Sequence, residues 1–105
     1  MSVQTISADH FEHAIQEKEV TFVDFVTPWC PPCKTLLPIL EEMEQEEEHR
    51  LSIVKVDCNE SPELAAKFGV MGTPTVIVFH KGEPVDKLVG LRPKSVYQAA
   101  LSRYA

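Results

Sequence analysis

Two apolar runs, TFVDFV at 21–26 and LSIVKVD at 51–57, bracket a segment with a different rhythm. Both runs are short and rich in β-branched and aromatic residues, which predicts buried strands. Between them, TLLPILEEMEQEEE places Leu36, Leu37, Ile39, Leu40 and Met43 at helical intervals. A strand, a helix and a strand in this order leave few options: the helix crosses over and the two strands lie parallel. Pro38 withholds one backbone donor inside that helix and is predicted to kink it.

The other segments attach to this unit. Ser7 precedes ADHFEHAIQEKE, where Phe11, Ala14 and Ile15 fall at helical spacing, so Ser7 is read as an N-cap. VQTI, ahead of it, is read as a further short strand. SPELAAKF (61–68) reads as a short helix with Ser61 capping and Pro62 in its first turn. TVIVFH (75–80) and PVDKLVGL (84–91) flank KGE and predict a β-hairpin. PKSVYQAALSRYA forms a last amphipathic helix with Val96, Ala99, Ala100 and Tyr104 expected inward. The expected fold is α/β, a mixed sheet with helices on both faces, and 105 residues supply a core for one domain.

WCPPCK, at 29–34, follows the first of the two strands and opens the crossover helix. Two thiols three residues apart can hold a metal, staple a fold or exchange electrons. Three cysteines make a poor disulfide framework, and a 44% hydrophobic fraction builds a core without staples. Zinc wants four ligands, and no second Cys-x-x-Cys or His-x-x-x-His pair completes a set around Cys30 and Cys33. Redox chemistry therefore leads. A net charge of −6 gives no electrostatic footprint for nucleic acid or an anionic membrane. No apolar run approaches the roughly 20 residues that span a bilayer. The first residues, MSVQTISADHFEH, lack the basic and apolar regions of an export signal, so a cytoplasmic location is expected.

In open α/β sheets, chemistry collects beyond the carboxyl ends of the strands, which is where WCPPCK is expected. Cys30 would stand at a helix N-terminus, where free N–H groups and the helix dipole favour a thiolate. Cys33 lies one turn in, close enough to close a disulfide without rearranging the backbone. The first thiol attacks a substrate disulfide and the second resolves the mixed disulfide, with Cys30 expected to be the more exposed of the two. Trp29 is read as an apolar wall beside the site, against the plainer reading of an ordinary core or surface aromatic. Asp24 is conspicuous on physical grounds, because a carboxylate inside an apolar strand is costly to ionise and its pKa should rise. The plainer reading is a strand edge that reaches solvent.

The chain resembles the thioredoxin family over nearly its whole length. The resemblance rests on Val23-Asp24-Phe25, Trp29-Cys30-x-Pro32-Cys33-Lys34, Pro38, Phe68-x-Val70, Gly72-Thr73-Pro74-Thr75, Phe79-x-x-Gly82 and Gly90. It implies a central mixed sheet flanked by four helices, and a cis Pro74 packed against the cysteines. It implies that Trp29, Thr73, Pro74 and Gly90 bind substrate, the Thr73 backbone pairing with it like an added strand. Asp24 becomes the buried acid that takes a proton from Cys33 and returns one to the departing thiolate. By the same resemblance the cation that accompanies this acid is expected at position 53, which is Ile53, leaving Lys55 as the nearest substitute. The implied activity is protein-disulfide reduction, recharged by thioredoxin reductase, with no cofactor beyond the Cys30–Cys33 disulfide and a monomeric chain. An oxidase, an isomerase or a dedicated-partner redox protein on the same fold is the alternative. A non-enzymatic module, or a metal cluster shared across a dimer, is a third class.

Departures from the family pattern fall near the dithiol. Val26 and Pro28 replace a tryptophan and a polar residue, and Pro31 replaces a glycine. Pro31, Pro32 and Lys34 are read as tuning the dithiol: neither proline offers an N–H, which leaves the amides of Cys33 and Lys34 for the Cys30 thiolate. Elsewhere, the glutamates from Glu41 to Glu48 are read as a solvated helix face, and His80 as facing solvent. His10 and His13 lack a third metal ligand, and Cys58 is read as a bystander thiol.

Overall fold

The structure, a computed structural model, describes residues 3–105. Five strands form one sheet in the order β1-β3-β2-β4-β5: β1 (Gln4–Thr5), β2 (Val20–Val26), β3 (Leu51–Asp57), β4 (Thr75–His80) and β5 (Glu83–Val89). β3 pairs in parallel with both β1 and β2, while β4 runs antiparallel to both β2 and β5. The crossover between β2 and β3 is α2 (Pro31–Glu46), which continues across Pro38. α1 (Phe11–Ala14), α3 (Pro62–Lys67) and α4 (Lys94–Tyr104) complete the set of four.

The central strands are apolar on both sides because both sides are covered. Val20, Phe22, Ile53, Val76 and Val78 face Leu36, Leu40 and Met43 of α2 and Tyr97, Ala100 and Leu101 of α4. Val23, Phe25, Val56, Ile77 and Phe79 face Phe11 and Ala14 of α1 and Leu64 of α3. In this second layer Phe68 packs edge-on to Phe79, with ring centroids 5.5 Å apart. The hairpin turns on Lys81 and Gly82, whose φ angles of 54° and 85° are the two left-handed residues a type I′ turn requires.

Three local expectations are corrected. The first helix is shorter than ADHFEHAIQEKE: a 3₁₀ turn at Ala8–His10 runs into four α-helical residues, after which Gln16 and Glu17 donate to carbonyls three back. QEKE favours helix but has nothing apolar to bury, so the chain tightens and turns into β2. Neither Ser7 nor Ser61 bonds its helix through its side chain. Ser61 instead caps through its carbonyl, which accepts from Leu64 and Ala65 at 3.1 and 3.4 Å. In α4 the inward face is Tyr97, Ala100 and Leu101, while Ala99 is exposed.

Candidate active site

The carboxyl end of β2 leads through Thr27, Pro28 and Trp29 to Cys30, the N-cap of α2, with Pro31 and Pro32 in the first turn. Proline suits the first turn because the amides there lack intrahelical partners. Cys30 and Cys33 form a disulfide with Cα atoms 5.2 Å apart. The Cys33 N–H donates to Cys30 Sγ at 3.2 Å. Lys34 does not share that task as expected, since its N–H donates to the Cys30 carbonyl at 3.2 Å as part of the helix. Nor is Cys30 the more exposed cysteine: the two are 5% and 6% exposed. Trp29, by contrast, is 89% exposed and lines a shallow cavity with Cys30, Pro31 and Lys34.

Sheet register brings a second segment to the sulfurs. Phe25 at the end of β2 pairs with Thr75 at the start of β4, and Thr75 pairs with Val89 at the end of β5. The residues just before β4 therefore face the cysteines. The Thr73–Pro74 peptide is cis. The Thr73 hydroxyl donates to Cys30 Sγ at 3.5 Å, and Thr27 Oγ1 lies 3.1 Å from Thr73 Oγ1. Gly90, at φ 81°, donates its N–H to the Pro74 carbonyl at 2.8 Å, which ties the end of β5 to the cis bond. The Gly90 carbonyl accepts from Tyr97 Oη, which itself accepts from the Arg92 N–H. Around this edge stand the exposed apolar side chains of Trp29, Met71, Val89 and Leu91.

Asp24 is fully buried in β2, and neither carboxyl oxygen has a hydrogen-bond partner among the described residues. Burial pushes its pKa up to about 7, with Lys55 pulling the other way. The expected vacancy at the cation position is overturned. Asp24 is registered opposite Lys55, whereas Ile53 is opposite Phe22 and belongs to the core. A cavity of about 230 Å³ is lined by Lys55 together with Cys33, Lys34, Thr27 and Asp57. Cys33 and the cation beside Asp24 thus open onto one pocket.

The site thus combines a disulfide at a helix N-terminus, a cis proline beside it and a buried acid in the strand that leads to it. The thioredoxin family model matches residues 2–103. The chain belongs to the thioredoxin family. Thioredoxin from Staphylococcus haemolyticus is 42% identical over 104 residues, covering 99% of each chain. That of Staphylococcus saprophyticus is 46% identical over 94 residues, covering 90% of this chain and 89% of the other. Among solved structures, Plasmodium falciparum thioredoxin superposes with a TM-score of 0.86 at 31% identity, covering 98% of this chain and 99% of that one. A mutant thioredoxin from Halobacterium salinarum gives 0.90 at 27% identity, covering 98% and 89%.

Around this thioredoxin-type centre, several sequence readings change. The glutamates of α2 are not a uniform solvated face. Glu42 and Glu46 pair with Lys94 at 2.6 and 3.1 Å, and Glu44 Oε2 accepts the Ile53 N–H at 2.9 Å. His80 is half-buried, its ring 5.6 Å from that of Tyr104 and its Nε2 3.5 Å from Glu19. Cys58 is half-buried against the second core layer, and burial, ahead of Asp57 and Asp24, raises its pKa. His10 and His13 line a cavity with Glu17 and Glu44, but among the described residues no group of three or more such side chains is placed to hold a metal ion. Thr27 and Tyr97 were not singled out from sequence. Tyr97 carried a signal, as a large aromatic amid the alanines of α4, whereas a lone threonine after a strand carried none.

Proposed function

We propose that this chain is a protein-disulfide reductase of the thioredoxin type, working through Cys30 and Cys33. The observation that carries the reading is their disulfide at the N-terminus of α2, facing the cis Thr73–Pro74 bond. In the reduced protein the Cys30 thiolate attacks one sulfur of a substrate disulfide, forming a mixed disulfide and releasing one substrate thiolate. Cys33 then loses its proton to Asp24 and attacks the Cys30 sulfur. That step closes the Cys30–Cys33 disulfide and releases the second substrate thiolate, to which Asp24 returns the proton. Two electrons pass to the substrate. A carboxyl with a pKa near 7 can both take and return a proton at neutral pH, which supports Asp24 in this role.

Trp29, Thr73, Pro74 and Gly90 are read as the substrate face, and Pro31, Pro32 and Lys34 as the residues that tune the dithiol. WCPPC in place of the glycine-containing motif is read as a variation within this activity. Thioredoxin reductase is the proposed electron donor, with no cofactor beyond the disulfide itself. Residues 1–105 are read as one domain acting as a monomer in the cytoplasm. No helix among the described residues is long and apolar enough to cross a membrane, which is compatible with that location.

The test is reduction of insulin by NADPH through a thioredoxin reductase. Turnover in wild type, none in Cys30→Ser and a trapped mixed disulfide on Cys30 in Cys33→Ser are the expected results. Normal turnover by Cys33→Ser would reverse the two roles. Failure to accept electrons, together with efficient oxidation of reduced substrates, would favour the oxidase reading. Stoichiometric metal in the purified protein would favour the cluster.

A further inference from the structure

We propose that Thr27 is a positioning residue for the attacking thiol, its hydroxyl orienting that of Thr73 so that Thr73 donates to Cys30 Sγ. The inference rests on Cys30 being the attacking thiol. It begins with a shortage of donors. Cys30 Sγ receives one amide, that of Cys33; Pro31 and Pro32 have none to give, and the Lys34 N–H is committed to the Cys30 carbonyl. The Thr73 hydroxyl at 3.5 Å is the second donor in reach.

A threonine hydroxyl has one proton and two acceptor positions. With the Thr73 proton on the sulfur, its oxygen is left to accept, so the 3.1 Å contact with Thr27 is a bond donated by Thr27. The two hydroxyls form a chain that ends on sulfur. Its direction is set by the fold: the antiparallel register of β2 and β4 pairs Phe25 with Thr75, and carried two residues further it sets Thr27 opposite Thr73. Both threonines are half-buried, so water competes less for the contact than at an open surface. In the disulfide the sulfur is a weak acceptor. On reduction Cys30 becomes an anion, the bond becomes charge-assisted, and each link polarises the next. Thr27 thus acts on a sulfur to which it has no direct hydrogen bond.

The experiment follows the rate of iodoacetamide alkylation of the reduced protein against pH, with the labelled cysteine identified by mass spectrometry. Thr73→Val should raise the midpoint for Cys30 by about one pH unit, the loss of one partly solvated bond to an anion. Thr27→Val should raise it by about half as much, and Thr27→Ser, which keeps the hydroxyl, should restore the wild-type midpoint. In a Thr73→Val background, Thr27→Val should add nothing. An unchanged midpoint in Thr27→Val, even with a lowered melting temperature, would show a purely structural threonine and overturn the proposal. So would an equal shift in the Thr73→Val background. Labelling that falls first on Cys33 would overturn the assignment of the attacking thiol instead, so the two failures are told apart by the position of the label.

Discussion

Asp24 lies in β2 between Val23 and Phe25, with Val76 and Lys55 as its cross-strand neighbours and no partner for either carboxyl oxygen among the described residues. Its pKa of about 7 stands well above the ordinary aspartate value of 3.8. An acid that is harder to ionise in the fold than in the unfolded chain destabilises the fold progressively as pH climbs from about 4 to about 7. Asp24→Asn should therefore raise stability at neutral pH, by at most about 4 kcal/mol at roughly 1.36 kcal/mol per pH unit, and give no gain below pH of about 4. Urea midpoints of the oxidised proteins across pH check this. A variant less stable than wild type at pH 7 would show that Lys55 holds the carboxylate as a true pair. Residue geometry also changes what Pro31 is expected to do. Cys30 is the N-cap, and a cap side chain reaches the amides of the second and third helical residues, here Pro32 and Cys33. The amide that Pro31 withholds is that of the first. Pro31→Gly should leave the alkylation midpoint of Cys30 within about a few tenths of a unit, while Pro32→Ala lowers it by up to about one unit. A fall in Pro31→Gly as large as that in Pro32→Ala would place the first amide on the sulfur after all.

At the scale of elements, β1 among the described residues is two residues long and pairs with Val54 and Lys55 of β3, short of Ile53. Glu44 of α2 accepts the Ile53 N–H. The carboxylate thus satisfies a strand amide that no backbone carbonyl meets among the described residues. Glu44→Ala should cost about 1–3 kcal/mol, the usual penalty for stranding a partly buried donor, and should speed hydrogen exchange at Ile53. Glu41→Ala on the same helix should stay within about 0.5 kcal/mol of wild type. Equal effects of the two would mean that water replaces Glu44 without loss. None of this was visible in a run of six glutamates, because which of them meets a backbone donor depends on how α2 lies against β3. Other elements were legible where burial and local pattern agree. β3 at 51–57 and β4 at 75–80 keep their expected bounds because both faces of each are covered, so the apolar run ends where the strand does. α1 was overread because QEKE has helix propensity without an apolar face. The inward face of α4 was misjudged at Ala99 because alanine suits either side of a helix, and the fit of Tyr97 against the sheet decides the rotation.

The whole molecule assembles its site from segments that the sequence keeps far apart. WCPPCK and Thr73-Pro74 announce chemistry on their own, but their meeting depends on β4 running antiparallel beside β2. Lys55 shows the same dependence, since the pairing of β2 with β3, and no spacing along the chain, sets it opposite Asp24. Thr27 was illegible for this reason: its partner is 46 residues away. The same register gathers Trp29, Met71, Val89 and Leu91 on one edge, 89%, 97%, 53% and 43% exposed. On a chain of net charge −6 this apolar edge is the docking place we propose for a protein substrate. Trp29 and Met71 bury almost nothing within the fold, so Trp29→Ala and Met71→Ala should leave the melting temperature nearly unchanged. Each should raise KM for insulin by about 3–10-fold with kcat within about twofold, the effect of losing about 1 kcal/mol of interface contact. A small aromatic disulfide, too small to span from the sulfurs to Met71, should be reduced by Met71→Ala at the wild-type rate. If its reduction slowed as much as that of insulin, the substitution would be acting on the dithiol itself, and the exposed apolar edge would not be where substrates bind.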